Sequence, residues 1–259
     1  SSAYIGAFDT ALLERRDEQG VSLRDAALAA GLDIDKVNTD HRNFNPVAGY
    51  VEVHIEQGPV LLNDGTPLGV VTAIAGASRY IVTITGEAGH AGTVPMPVRR
   101  DALAAAAEMA LAVEAVAATK PAELVATVGK FHVDHPAANV IPGRVEFSID
   151  LRSGNDATRR AAEADIIARL KTIATRRNVD ATLAPYHDSR AVPCDPVLMD
   201  RLDAAIAACG LPVRRLPSGA GHDAMTVADV AKVAMLFVRC GAGGISHNPK
   251  ESLTAEDAG

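Results

Sequence analysis

The chain has 259 residues, 48% of them hydrophobic and 22% charged, with 25 basic against 32 acidic side chains and a formal charge of −7. That apolar content excludes a disordered or low-complexity chain, and the acidic balance leaves no basic stripe to neutralise phosphates, so no nucleic-acid partner is expected. No membrane partner is expected either: the best apolar run, Val227 to Cys240, is interrupted by Asp229, Lys232 and Arg239 and falls short of the roughly 18 residues a span needs.

Thr10 to Ala30 reads as helix punctuated by Gly20, with Ser22 capping a run whose Leu23, Ala27 and Ala30 share a face and Gly31 as its stop. Residues 40–46 read as polar loop. Ala48 to Ile55 alternates and predicts a strand ending at His54-Ile55-Glu56-Gln57-Gly58, and Val70 to Ile74 predicts a buried strand before the soft joint Ala75-Gly76-Ala77-Ser78. Then comes a self-contained pattern: strand Arg79 to Thr85, helix Pro97 to Thr119, strands Glu123 to Val133 and Val145 to Arg152, amphipathic helix Asn155 to Arg177, and strand Asp180 to Tyr186. This β-α-β-β-α-β order is the ferredoxin-like layout, an antiparallel sheet with two helices on one face. The expected organisation is therefore an inserted domain at 79–187 within an α/β domain made of 1–78 and 188–259. The second part of that α/β domain reads as helix Pro196 to Cys209, short strand Val213 to Leu216, a helix opening at His222 to Thr226, strand Val233 to Val238, and the turn Gly241 to Gly244.

Cys194, Cys209 and Cys240 are odd in number and lack a CxxC pair, so they read as free core thiols in a reducing compartment. With no signal peptide after Ser1-Ser2-Ala3, a cytoplasmic location is expected. The opening without Met, and a close on Ser252 to Asp257 that looks like a cap and first turn with no helix after it, read as two cut ends.

His54 lies at the end of one expected strand and His247 after another and its glycine turn, the place where open α/β sheets bind ligands, and imidazole suits Zn²⁺ and similar divalent ions. Two ligands are only half of a hydrolytic site. In Gly86-Glu87-Ala88-Gly89-His90-Ala91-Gly92, glycines let the backbone bring His90 to a ligand; the plainer reading is a tight connection with an exposed His. Asn139 opens the turn Asn139 to Gly143. Arg152 can fork onto a carboxylate, against the simpler reading of an ion pair with Asp150 or Asp156.

Six segments in one order carry a resemblance: His54 to Pro59, Gly89 to Thr93 with Arg100 to Ala102, Asn139 to Gly143, Asp150 to Arg152, Ser218 to Ala224, and Ser246 to Glu251. Over nearly the whole chain they resemble the hydantoinase/carbamoylase branch of the M20 metallopeptidase-like family, which includes N-carbamoyl-L-amino-acid hydrolases, allantoate amidohydrolases and β-ureidopropionases. The resemblance implies an α/β metallohydrolase domain carrying a lid and dimerisation domain. It also implies two divalent metal ions per intact subunit, Zn or Mn with Co or Ni as options, and hydrolysis of a ureido bond with release of ammonia and carbon dioxide. His54 and His247 match ligands of the two metals. Gln57, Asn139 and Arg152 match substrate contacts, with Arg152 on the carboxylate, and Gly221 and His222 match a loop lining the pocket. His90 matches the catalytic histidine that crosses the homodimer to stabilise the oxyanion. Glu56 and Glu251 belong to the motifs without an assigned role.

The departure is upstream of His54. The family's His-x-Asp segment, bridging aspartate and Glu-Glu pair find no counterpart among the first 53 residues; Asp40-His41, Glu14-Arg15-Arg16 and Glu52 do not resemble them. A fragment inactive alone is the expectation. The alternatives are another M20 amidase or peptidase and a non-catalytic dimerising remnant; a His where many M20 peptidases carry Asp favours the carbamoylase branch.

Overall fold

A computed structural model describes residues 2–39, 41–45 and 47–258; Asp40 and Pro46, which bound the expected polar loop, and the terminal Ser1 and Gly259 lie outside the described residues. In chain order, a 3-10 turn at Thr10–Glu14 precedes α1 (Leu23–Ala29) and another at Ile34–Lys36, followed by β1 (Tyr50–Ile55), α2 (Val60–Asp64) and β2 (Leu68–Ile74). β3 (Gly76–Thr85), β4 (Gly89–His90) and a 3-10 turn at Met96–Val98 lead to α3 (Ala102–Ala118), β5 (Val125–Thr127), β6 (Phe131–Val133), β7 (Val140–Ile141) and β8 (Arg144–Ser153). Then follow α4 (Asp156–Arg176), β9 (Asp180–Ser189), β10 (Val192–Pro193), α5 (Pro196–Ala208), β11 (Arg215–Ser218), α6 (Ala224–Val227), β12 (Val233–Val238), a 3-10 turn at Ala242–Gly244, and α7 (Ala255–Ala258). No helix among the described residues is long and apolar enough to cross a membrane.

The chain divides into two compact units. One comprises Ala73–Pro193 with Pro217–Gly219. It reaches six residues beyond the expected 79–187 at each end, because β3 begins at Gly76 and β9 continues to Ser189. Its sheet has the order β5-β8-β3-β9, with β6 also on β8, and every pairing is antiparallel. That is the ferredoxin-like order. Strand alternation decides what each face carries. In β8, Val145, Phe147, Ile149 and Leu151 are buried against Met109 and Val113 of α3 and Ile166 and Leu170 of α4. Their alternates, Glu146, Ser148, Asp150 and Arg152, lie on the other face.

Three expectations are corrected here. The helix expected from Pro97 begins at Ala102: Met96–Val98 is a 3-10 turn, Arg99 is extended, and Asp101 caps the helix by accepting the Ala104 N–H at 2.9 Å. The single strand expected from Glu123 to Val133 is two short ones, interrupted around Gly129, where the Ser148 hydroxyl accepts the Lys130 N–H at 3.0 Å. The helix expected over Thr10 to Ala30 is a 3-10 turn and a seven-residue α1, with Gly20 at φ 81° between them. The Ser22 cap is where the sequence places it, accepting the Asp25 N–H at 3.0 Å.

Within the first unit's core face, Arg159 is 1% exposed, a burial that costs heavily unless the charge is paired. It is paired, donating to Asp156 at 2.7 Å and Asp188 at 2.8 Å, and to the Ser78 hydroxyl.

The other unit comprises the residues up to Thr72, Cys194–Leu216 and those from Ala220 onward. Here β1 runs parallel to β12, from Tyr50 opposite Val233 to Ile55 opposite Val238, and β12 is antiparallel to β2. The two parallel strands therefore end at the same edge, and their following loops meet there. The expected first turn at Ser252 to Asp257 forms the four-residue α7, and Thr254 caps it by accepting the Asp257 N–H at 3.1 Å. All three cysteines are free, with Cys194 and Cys240 buried and Cys209 exposed.

Candidate active site

The expected site residues fall into two sets, one in each unit. In the α/β unit, alternation along β1 puts Glu52 and His54 on one side, while Val51 and Val53 are exposed on the other. His54 Nδ1 lies 2.7 Å from the Ile55 carbonyl oxygen. A carbonyl only accepts, so Nδ1 carries the proton and Nε2 keeps its lone pair for a ligand. His222 stands edge-on to His54, with ring centroids 4.6 Å apart, and edge-on to Phe237 at 5.9 Å. Burial, then the nearby His54, pushes His222 down to about 4, against a smaller opposite pull from Asp223, so its ring is neutral at physiological pH.

Glu52 is the residue the sequence reading passed over. Its side chain is 14% exposed, its Oε2 accepts the Ala224 N–H at 2.8 Å, and its Oε1 lies 3.7 Å from His222 Nδ1. It thus anchors the Gly221-His222 loop beside His54. The signal was available: an acid two residues before a strand histidine shares its face.

Gln57 and His247 both adopt left-handed backbone, at φ 57° and 56°, a conformation uncommon away from glycine. Gln57 Nε2 donates to the Ser246 hydroxyl at 2.8 Å, and the His247 N–H donates to Glu251 at 2.7 Å. Glu56 accepts the N–H groups of Val60 and Leu61 at 2.7 and 2.9 Å. Glu56 and Glu251 therefore hold loop backbone. Gly244 permits the approach of these loops: a Cβ there would sit 2.3 Å from the Gly58 carbonyl carbon. The structure joins His54 directly to His222, and brings His247 near Gln57 only through its neighbour Ser246.

In the ferredoxin-like unit, β4 pairs with β7, His90 opposite Val140, and the Ala91 N–H donates to the Asn139 carbonyl at 2.9 Å. This two-stranded ladder, absent from the sequence reading, puts His90 and Asn139 side by side. His90 Nδ1 accepts the Gly92 N–H at 3.0 Å, so the neutral ring carries its proton on Nε2 and presents a donor outward. Arg99 straps the loop, donating to the carbonyls of Ala91 at 2.5 Å and Val94 at 3.0 Å.

Arg152 makes the ion pair that was its simpler reading: Nε and Nη2 donate to Asp150 at 2.8 and 2.7 Å, and Nη1 donates to the Gly219 carbonyl at 2.7 Å. These bonds use three of its five N–H groups, leaving one on each terminal nitrogen. Burial raises the Asp150 carboxyl, but Arg152 and Arg79 outweigh it and hold the group below its ordinary range. Arg152 lines a cavity of about 500 Å³ with Lys130, Ser148 and Tyr186.

Among the described residues, no three His, Cys, Asp or Glu side chains gather as a metal-binding group. His54 and His222 offer two imidazoles, and Glu52 is engaged with Ala224. The donors among the described residues therefore do not make a hydrolytic metal site by themselves.

The sequence matches Peptidase family M20/M25/M40 over residues 15–258. It is 40% identical to an allantoate deiminase of Arabidopsis thaliana, covering 100% of this chain and 54% of the relative. It is 42% identical to an N-carbamoyl-L-amino acid amidohydrolase of Geobacillus stearothermophilus, covering 99% and 62%. The fold matches the crystal structure of an amidase of the hydantoinase/carbamoylase family from Burkholderia multivorans with a TM-score of 0.89 at 34% identity, over 99% of this chain and 61% of that one. The chain thus spans little more than half the length of these relatives. On that match of sequence and architecture, it belongs to the M20/M25/M40 peptidase family.

Proposed function

We propose that this chain is part of an amidohydrolase that cleaves the ureido bond of a small acid: an N-carbamoyl-L-amino acid, allantoate or ureidopropionate. The observation that carries this is Arg152, which keeps one N–H on each terminal nitrogen at the wall of the cavity. Two such donors suit a carboxylate fork. His90, with its Nε2–H outward, suits an oxyanion that grows as water adds to the carbonyl. Divalent metal would supply the activated water. With two imidazoles as its ready donors, this chain is proposed to need ligands from outside itself for that, and to be inactive alone.

The test is ammonia release by the full-length, metal-loaded protein from N-carbamoyl-L-amino acids, ureidopropionate and allantoate, with dipeptides alongside. Turnover of a ureido acid without dipeptide cleavage is expected, and none is expected from residues 1–259 alone. Dipeptide cleavage would instead favour the peptidase alternative.

The unit that carries His90 is also proposed to form a homodimer. The 17-residue α3 has only two charged side chains, Glu108 and Glu114, and Glu108 is occupied by Arg176 and Arg177. Leu111 is 66% exposed on its outer surface, and Phe131, 43% exposed, lies on the edge strand β6 opposite Phe147, on the helix side of the sheet. By contrast, α4 shows solvent the pair Arg169–Asp165. An apolar helix face next to an open sheet edge suits a second copy. Leu111→Glu is expected to shift the protein from dimer to monomer in sedimentation velocity; an unchanged dimer would remove this face from the interface.

A further inference from the structure

Arg152 is held by a charge arrangement that a simple substrate-binding arginine does not need. Asp150 and Arg152 lie two residues apart on the open face of β8, and Arg79 of β3 is directly opposite Asp150 in the register. Arg79 Nε donates to Asp150 Oδ2 at 3.0 Å, and Arg152 takes both carboxylate oxygens in a side-on fork. Asp150 is thus shared between two guanidinium groups. The Gly219 carbonyl holds Arg152 from a third direction.

Two physical consequences follow. A free arginine side chain loses rotamer freedom when it is ordered, and a ligand must otherwise overcome that loss. The side-on fork to Asp150 removes that freedom beforehand and fixes which N–H groups remain. Charge is the second consequence. A lone Arg152–Asp150 pair would be neutral and would attract a carboxylate weakly. Adding Arg79 makes two positive charges against one negative, a net charge of +1 on the cluster.

We infer that Asp150 and Arg79 are positioning residues for carboxylate recognition: Asp150 sets the direction of Arg152, and Arg79 restores the positive charge that Asp150 cancels. This rests on the reading of Arg152 as the substrate's carboxylate contact. It predicts that the substrate must be a free acid, because only an anion profits from the restored charge.

The experiment is steady-state kinetics on the full-length, metal-loaded protein, with an N-carbamoyl-L-amino acid and its carboxamide counterpart, for Asp150→Asn, Asp150→Glu, Arg79→Gln and Arg152→Lys. Asp150→Asn and Arg79→Gln are each expected to raise KM for the acid by roughly tenfold, with kcat little changed and the carboxamide unaffected. Asp150→Glu is expected to recover most of the loss. Equal losses on acid and carboxamide, with a lowered melting temperature, would mean a structural role and overturn the inference. So would a normal KM in Asp150→Asn when Arg152→Lys raises it. If Arg152→Lys itself leaves the preference for the acid intact, the Arg152 reading fails and takes this inference with it.

Discussion

In the full-length protein, His90→Ala is expected to lower kcat about 10²- to 10³-fold while KM for the ureido acid changes little. That is the typical loss when one oxyanion donor is removed, roughly 3–4 kcal/mol of transition-state stabilisation. The expectation follows from how His90 is held. Its β4 backbone pairs with β7, and the Gly92 N–H occupies Nδ1, which fixes the tautomer. Arg99 ties down the carbonyls of Ala91 and Val94 on the following turn. A ring so fixed offers one N–H in one direction and does not need to reorganise as charge develops. A group acting only in the transition state lowers kcat and kcat/KM together, whereas a plain substrate contact raises KM. Steady-state kinetics on an N-carbamoyl-L-amino acid separates the two, and a rise in KM at constant kcat would make His90 a binding residue only.

Phe147→Ala is expected to cost the ferredoxin-like unit about 3–5 kcal/mol, the usual range for emptying an aromatic site in a core. Phe147 is 1% exposed at the middle of β8, packed in the cluster that joins the sheet to α3 and α4. It also lies parallel to Phe131, with centroids 5.9 Å apart and planes at 10°. Phe131 is the outer lid of that stack and is 43% exposed, so the cavity opens toward an edge strand that can relax only partly. Calorimetry should show the transition of this unit falling by on the order of 10–20 °C. A shift of a few degrees would mean that β6 collapses into the space.

The repeating elements of the ferredoxin-like unit were legible because its strands alternate and its helices carry stripes: Val145, Phe147, Ile149 and Leu151 on one face, Ile166, Leu170 and Ile173 on another. Boundaries failed where a local cap or break outweighed the periodicity. Asp101 captures the first turn of α3 by its side chain, so the helix expected from Pro97 does not begin until Ala102. Around Gly129 the strand pattern continues in the sequence, but the ladder to β8 is interrupted there by the Ser148 hydroxyl.

The candidate site was partly legible for a different reason. His54, His90, Asn139, Arg152, His222 and His247 stand out by residue type within short motifs. Their partners do not. That Glu52 reaches Ala224, 172 positions away, or that His222 sits edge-on to His54, depends on β1 lying parallel to β12, a pairing no local pattern encodes. An ion pair of Arg152 with Asp150 or Asp156 was the plain reading of the sequence, and Asp150 is the partner; the third member, Arg79, comes from the register of β3 on β8.

The close approach of Gly244 to Gly58 bears on how this family member could be diversified. The loop that follows β12 rests at Gly244 on the Gly58–Pro59 backbone of the loop that follows β1, so a side chain at 244 has no room, whereas one at 58 would meet only the end of the Glu56 side chain, 3.0 Å away. Variation aimed at substrate range is therefore channelled into side chains projecting from these loops, at positions such as 57 and 246, while loop length and course stay fixed. A library randomised at 244 should yield few folded variants, and one randomised at 246 many.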